Sequence, residues 1–337
     1  MAAVPRFLPF LPYLLRRLAG YALLVAVATS LTYLLAAATL DPRSNYEGRS
    51  PRPPAAVVDA QLSRYNLNDR TPLAQRYLRW AAGMLRGDPG RTWNGDRVAA
   101  ELGRRFGVTL RLVLLGVVAG SAAGVAAGAA AAVRQYRAFD RVSTVAAFAV
   151  LAVPVVVLAN MLVIGAVWLN DRLGAQLLLV SGEATPGLAG GPAAGLLDRA
   201  RHLALPTLSL ALGQAAVYSR YQRGMMLDVL GADYVRTAMA KGLRRRTALV
   251  RHALRTALVP AVTYFAFTFG TLLVGATITE TVFGWHGMGE ALVAAIRGND
   301  VNTVAAVCGC AAVAVLLAAL AADALHVLLD PRVRVGR

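Results

Sequence analysis

Six runs of mostly apolar residues, at 18–40, 108–133, 142–169, 203–219, 257–279 and 304–329, decide what this chain can fold into. An α-helix rises 1.5 Å per residue, so about 20 residues cross the roughly 30 Å hydrocarbon layer of a bilayer. Five of the runs hold 23 to 28 residues and exceed that length, while the fourth, with 17, is marginal. None alternates polar with apolar residues in the short segments of a transmembrane barrel. The expected fold is an all-α membrane protein with six transmembrane helices. The first run is longer than the h-region of a signal peptide and is expected to remain as an uncleaved helix. An apolar share of 57% and a mean hydropathy of +0.53 exclude disorder and an ordinary soluble domain. The two cysteines, Cys308 and Cys310, lie two apart inside an apolar run and form neither a disulfide framework nor a metal site.

The net charge is +17, and all but one of the 35 basic residues are arginine. In a soluble protein that balance points to nucleic acid, so its placement decides. With the N-terminus inside, segments 1–17, 134–141, 220–256 and 330–337 carry 18 basic and four acidic residues. The short outside segments 170–202 and 280–303 carry four basic and six acidic residues. This is the positive-inside asymmetry, and it predicts that both termini are cytoplasmic. Loop 41–107 holds twelve basic residues but is too long for that rule. No nucleic acid is needed to explain the charge. The chain then divides into a cytoplasmic N-terminus with the first helix (1–40), an extracytoplasmic loop (41–107), a core of five helices (108–330) containing the cytoplasmic loop 220–256, and a tail (331–337).

Within loop 41–107, Val57, Leu62, Leu67, Leu73, Tyr77, Leu78, Trp80, Ala81 and Leu85 recur as in short amphipathic helices. Segment 170–202, rich in glycine and proline, reads as a flexible connection. Gly116, Gly120, Gly124 and Gly128 recur every four residues, which lays a stripe without side chains along one helix, where a second helix can pack closely. Polar residues inside apolar spans must face protein or water, so Asn160, Gln214, Thr268 and Thr271 are candidates for a pathway; an ordinary interhelical hydrogen bond explains each as well. Asp323 is the only carboxylate in a span and needs a partner.

Segment 231–260 is the most informative. Asp233 can cap a helix beginning at Tyr234, with Val235, Ala238 and Met239 on one apolar face, a knob suited to a partner's groove. Gly242 suits the left-handed residue that ends such a helix, and a second helix runs from about Thr247 through Arg251, His252 and Arg255 to Pro260. A DNA-binding helix-turn-helix is the wrong reading for a loop tethered to a bilayer at both ends. A cationic surface for anionic lipid also fits, with Arg244, Arg245 and Arg246 contributing.

The run Asp233-Tyr234-Val235-Arg236-Thr237-Ala238-Met239-Ala240-Lys241-Gly242-Leu243, followed by Arg251-His252-Ala253-Leu254-Arg255 and Leu258-Val259-Pro260, resembles the permease subunits of bacterial binding-protein-dependent ABC importers, specifically the first (B-type) permease of the dipeptide/oligopeptide/nickel group. Tyr65-Asn66-Leu67-Asn68-Asp69, Gly87-Asp88-Pro89-Gly90, Glu280-Thr281-Val282-Phe283, Gly287-Met288-Gly289 and the ending from Asp323 to Asp330-Pro331-Arg332 are similar to the same group. His286 and His326 depart from its pattern. The resemblance implies the type I importer permease fold. It implies a coupling helix contacting the ATPase through Asp233, Tyr234, Arg236, Thr237, Ala238, Ala240, Lys241 and Gly242. Its implied partners are a second permease in a heterodimer, two ABC ATPase subunits or domains, an extracytoplasmic substrate-binding protein and membrane lipid. Peptides are the implied cargo, with nickel, glutathione or haem as the alternative.

The expected chain is not an enzyme. Its single lysine, Lys241, lies between Ala240 and Gly242 and cannot serve a P-loop, so ATP and magnesium are expected on partner subunits and no cofactor on this chain. The four histidines are scattered, no metal-binding or serine-nucleophile motif occurs, and no metal site is expected.

Overall fold

A computed structural model describes residues 10–188 and 191–329. Among the described residues the only β-pairing is an isolated bridge between Arg91 and Arg97, and everything else regular is helical. By contacts the chain divides into two units, residues 1–105 with 291–316, and residues 106–290 with 317–337. The N-terminal nine residues and the tail 331–337, with Asp330, lie outside the described residues.

The first unit begins with the apolar helix α1 (Phe10–Thr39). Three short helices follow, α2 (Ser44–Glu47), α3 (Ala55–Arg64) and α4 (Leu73–Met84). The sequence places apolar residues one turn apart in α3 and α4, and Val58, Leu62 and Trp80 are the ones buried, together with Leu67 after α3. Val57, Leu73, Leu78 and Leu85, expected on the same face, are exposed. Tyr33 of α1 stacks on Trp80 with ring centroids 4.3 Å apart. Arg43 joins the loop by pairing with both Asp59 and Asp69, at 2.7 and 2.6 Å.

The second unit takes most of α5 (Val98–Val133), then α6 (Ala138–Ala152), α7 (Val155–Leu173), α8 (Pro192–Leu230), α9 (Asp233–Ala240) and α10 (Arg245–Ala248). A π-helical turn, Leu249–Leu254, joins α10 without interruption to α11 (Arg255–Gly275), and α12 (Thr277–Val282) follows. The second unit also holds the first three residues of α13 (Met288–Arg297), whose remainder lies in the first unit with the final helix α14 (Val301–Leu329) as far as Leu316.

Two sequence expectations change. The single run at 142–169 is two helices, because Pro154 pushes Val153 out of helical backbone, to φ −88° and ψ 124°, and α7 restarts behind the proline. The connection at 170–202 is shorter and is pinned. Helix α8 already starts at Pro192, whose missing N–H costs nothing at a first helical position. Ahead of it, the Asn170 side chain holds the Leu177 and Leu178 backbone, Gly182 N–H donates to the Phe283 carbonyl, and Thr185 donates both its N–H and its hydroxyl to Asp198. Those two Thr185 bonds hold the Asp198 carboxyl below its ordinary value. In agreement with the sequence, five helices among the described residues, α1, α5, α7, the α10–α11 helix and α14, are long and apolar enough to cross a membrane. Helix α8, which contains the marginal run 203–219, has 39 residues and spans about 58 Å, but it is more polar than those five.

Candidate functional site

Helix α9 starts one residue earlier than the sequence indicates. Ala232, with ψ 143°, holds the N-cap position, Asp233 is the first helical residue, and no side chain caps the helix. Asp233 therefore acts only as an acid in the first turn, where the helix dipole favours it. The far end matches the expected geometry. Gly242 has φ +90°, its N–H reaches the Met239 carbonyl at 3.0 Å, and Leu243 N–H reaches the Ala238 carbonyl at 3.2 Å. That pair of bonds is the Schellman stop. A Cβ at Gly242 would meet nothing within 4 Å, so backbone handedness alone demands glycine.

The two faces of α9 differ. Val235 and Ala238 are both buried, and Val235 joins Ala132 at the end of α5, Met226 of α8, and Leu249, Ala253 and Ala257 of the helix that follows. Full burial of the Val235 side chain contributes about 1.5–2 kcal/mol to holding α9 there. The apolar face read as a knob is thus spent mainly within the chain. Met239, expected on that face, is exposed, as are Asp233, Tyr234, Arg236, Thr237, Ala240, Lys241 and Gly242. The second helix of the loop begins at Arg245 rather than Thr247. Through Val235, α9 shares one apolar cluster with the end of α5, with α8 and with the helix leading into α11.

The glycine stripe lies against α8. A Cβ at Gly116 would come within 2.7 Å of Leu210 Cβ, at Gly120 within 2.6 Å of the Ala211 oxygen, at Gly124 within 2.5 Å of Tyr218 Cβ, and at Gly128 within 2.3 Å of the Ser219 oxygen. At the end of this contact Arg223 of α8 donates through Nε and Nη2 to the two oxygens of Asp140, at 2.6 and 2.9 Å, and Tyr136 N–H donates to the same carboxylate. The Arg223 bonds hold the Asp140 carboxyl below its ordinary value, and the same pairing raises Arg223. Sequence reading missed this pair. Its one signal is an acid standing alone among the arginines of segment 134–141.

The pathway candidates separate. The Asn160 amide donates to the Val156 carbonyl of its own helix and is exposed, and Thr271 donates to the Thr268 carbonyl. Gln214 and Thr268 turn inward, and the Thr268 hydroxyl lies with that of Ser121 beside the Tyr218 hydroxyl, between α5, α8 and α11. Tyr218 also packs on Tyr264, with centroids 5.2 Å apart. Asp323 is half-buried and has an interaction partner. Arg111, near the start of its span, pairs with Glu183 at 3.0 Å.

Glu280, buried completely, organises the segment after α12. Its carboxylate accepts from the Thr109 hydroxyl and from Glu290 N–H at 3.1 Å, while Thr109 accepts Met288 N–H at 2.7 Å. Glu280 and Thr109 together satisfy the first turn of α13. Burial pushes the Glu280 carboxyl above its ordinary value. No group of three or more metal-binding side chains occurs among the described residues.

Residues 124–335 match the family model described as binding-protein-dependent transport system inner membrane component. The chain is 51% identical over 324 residues, covering 96% of it and 99% of the relative, to an oligopeptide transport system permease protein OppB of Mycobacterium tuberculosis. It is 30% identical to an oligopeptide transport system permease protein AppB of Bacillus subtilis, covering 95% and 98% of the two chains. It is 32% identical over 276 residues to a dipeptide transport system permease protein DppB of Escherichia coli, covering 78% and 81%.

Proposed function

Since the chain belongs to the family of binding-protein-dependent transport system inner membrane components, we propose that α9 is the lever through which a separate ATPase moves it. The protein is a permease subunit of a peptide importer, a multi-pass component of the bacterial inner membrane, and not an enzyme. Such importers combine permeases with ATPase subunits and a substrate-binding protein.

The finer assembly is our reading. Two ATPase subunits, carrying ATP and magnesium, lie on the cytoplasmic side, a second and different permease completes the pathway, and an extracytoplasmic binding protein delivers the peptide. Six membrane passages with both termini inside agree with the charge asymmetry. Helix α8 is then the sixth passage; its polar side chains face other helices rather than lipid.

The observation that carries the coupling role is the division of α9 into a face fixed in the permease and a face left open. ATP-driven closure of the ATPases shifts an equilibrium only if their contacts with α9 differ between states. The outward residues Tyr234, Thr237, Ala240 and Lys241 are the ones placed to make such contacts, and Ala238 is a packing residue of the same helix. The test is a Thr237→Cys variant in the assembled importer, crosslinked to single cysteines on the ATPase, with a Tyr234→Ala/Thr237→Asp variant measured for peptide uptake and ATP hydrolysis. Crosslinking, with hydrolysis retained and uptake lost, is expected. Labelling of Thr237→Cys from the outside only, or unimpaired uptake in the double variant, would refute the reading.

A further inference from the structure

Beyond the coupling role, the helix that leads from the loop into α11 presents a shallow cleft of about 320 Å³ lined by Arg246, Thr247, Val250 and Arg251. Arg246 and Val250, like Thr247 and Arg251, are one helical turn apart, so the four make one continuous surface patch. All four side chains are exposed, Val250 by 58% although it is apolar. Neither arginine has an ion-pair partner among the described residues, and no acid occurs in the sequence between Asp233 and Glu280. The patch therefore combines two unneutralised guanidiniums with an exposed aliphatic surface between them.

Its depth says what it meets. Arg251 lies six residues before the apolar run that opens at Ala257, about 9 Å along the helix axis from the hydrocarbon edge. The polar layer of a bilayer is about 5–8 Å thick on each side, so the long Arg251 side chain reaches lipid phosphates. Arg246 stands farther out, where the end of a headgroup projects. A site for a soluble protein would not need an exposed valine between its cations at this depth. A phospholipid supplies both an anion for the guanidiniums and an apolar stem for Val250.

We propose that Arg246, Thr247, Val250 and Arg251 form a binding site for the headgroup of an anionic phospholipid on the cytoplasmic leaflet. Guanidiniums bind phosphate oxygens in paired hydrogen bonds, and a basic cluster immediately inside a membrane helix is strengthened by the negative charge of that leaflet. The site rests on segment 220–256 facing the cytoplasm. A lipid held there borders α9, because Leu249 and Ala253, on the buried side of the same helix, pack against Val235.

The experiment uses the assembled importer in nanodiscs of phosphatidylcholine with or without phosphatidylglycerol, followed by mass spectrometry of lipid retained after detergent extraction. Two surface arginines contribute enough that an Arg246→Gln/Arg251→Gln variant is expected to retain phosphatidylglycerol about 30-fold more weakly. An Arg244→Gln/Arg245→Gln variant, equal in charge, is expected to lose far less. Equal losses in both variants would overturn the proposal in favour of diffuse attraction, and equal retention of the two lipids by the wild type would overturn it outright. So would release of the lipid by inorganic phosphate at low concentration, which would make this a site for a soluble anion, or crosslinking of Arg251→Cys to the ATPase. Labelling of Arg251→Cys from each side of the membrane separates failure of the site from failure of the orientation on which it rests.

Discussion

Alanine in the glycine stripe should have opposite effects to alanine at open glycines of the same helical unit. At Gly128 the added Cβ would lie 2.3 Å from the Ser219 carbonyl oxygen, and relief to an ordinary contact near 3.4 Å requires α5 and α8 to separate by about 1 Å. Backbone on both sides prevents local accommodation, so the cost belongs at the upper end of overpacking, about 3 kcal/mol. Alanine returns about 1 kcal/mol of helix propensity, leaving a net loss of about 2 kcal/mol. At Gly224, in α8, a Cβ meets nothing within 4 Å, and Gly224→Ala should be neutral or stabilising by up to about 1 kcal/mol. The assay is unfolding of the purified protein in mixed micelles of increasing denaturing detergent, followed by circular dichroism and by protease resistance. Gly124→Ala should behave like Gly128→Ala, because its Cβ would fall 2.5 Å from that of Tyr218. If Gly128→Ala and Gly224→Ala shift the transition in the same direction by the same amount, the close packing of α5 on α8 is refuted.

Three further outcomes follow from the same geometry. Asp140→Asn removes the charge that Arg223 holds bidentately and should destabilise the α6–α8 contact by about 2–3 kcal/mol, read by the same unfolding assay. Because the Asp140 carboxyl is depressed in the folded protein, its stabilisation is present above the ordinary aspartate value and lost as pH falls through the lower folded value. Wild type and Asp140→Asn should therefore converge only in strong acid. Gly242→Ala should cost about 1–2 kcal/mol through handedness alone, with Gly242→Asn costing less, whereas Gly231→Ala, at φ −91°, should be silent; amide exchange across α9 reads all three. Glu280→Ala leaves the Thr109 hydroxyl and the Glu290 N–H without their acceptor and should loosen the start of α13 by about 2–3 kcal/mol, visible as faster amide exchange at Gly289 and Glu290.

What the sequence reveals and what it hides follow from the range of each signal. The glycine spacing at 116, 120, 124 and 128 is a property of one helix, so the stripe is readable, but its partner is not: Leu210, Ala211, Tyr218 and Ser219 are brought to it by tertiary packing. Gly242 is readable because the left-handed stop is local, and the same local pattern misplaces the start by one residue, since Ala232 adopts the cap conformation without a capping side chain. Hydropathy carried the run 142–169 across Pro154 because an apolar count does not register a missing N–H, although the proline itself announces the break. Asp140 and Arg223 are 83 residues apart, and no periodicity links them. The orientation of α9 is the most instructive case. Periodicity correctly groups Val235 with Ala238, but an apolar face is equally satisfied by a partner or by the chain itself. Here Ala132, Met226, Leu249 and Ala253 cluster with its Val235. On the proposed coupling role, α9 would be gripped by its polar side, and force on Tyr234 or Thr237 would pass through Val235 into the cluster it shares with Ala132, Met226, Leu249 and Ala253.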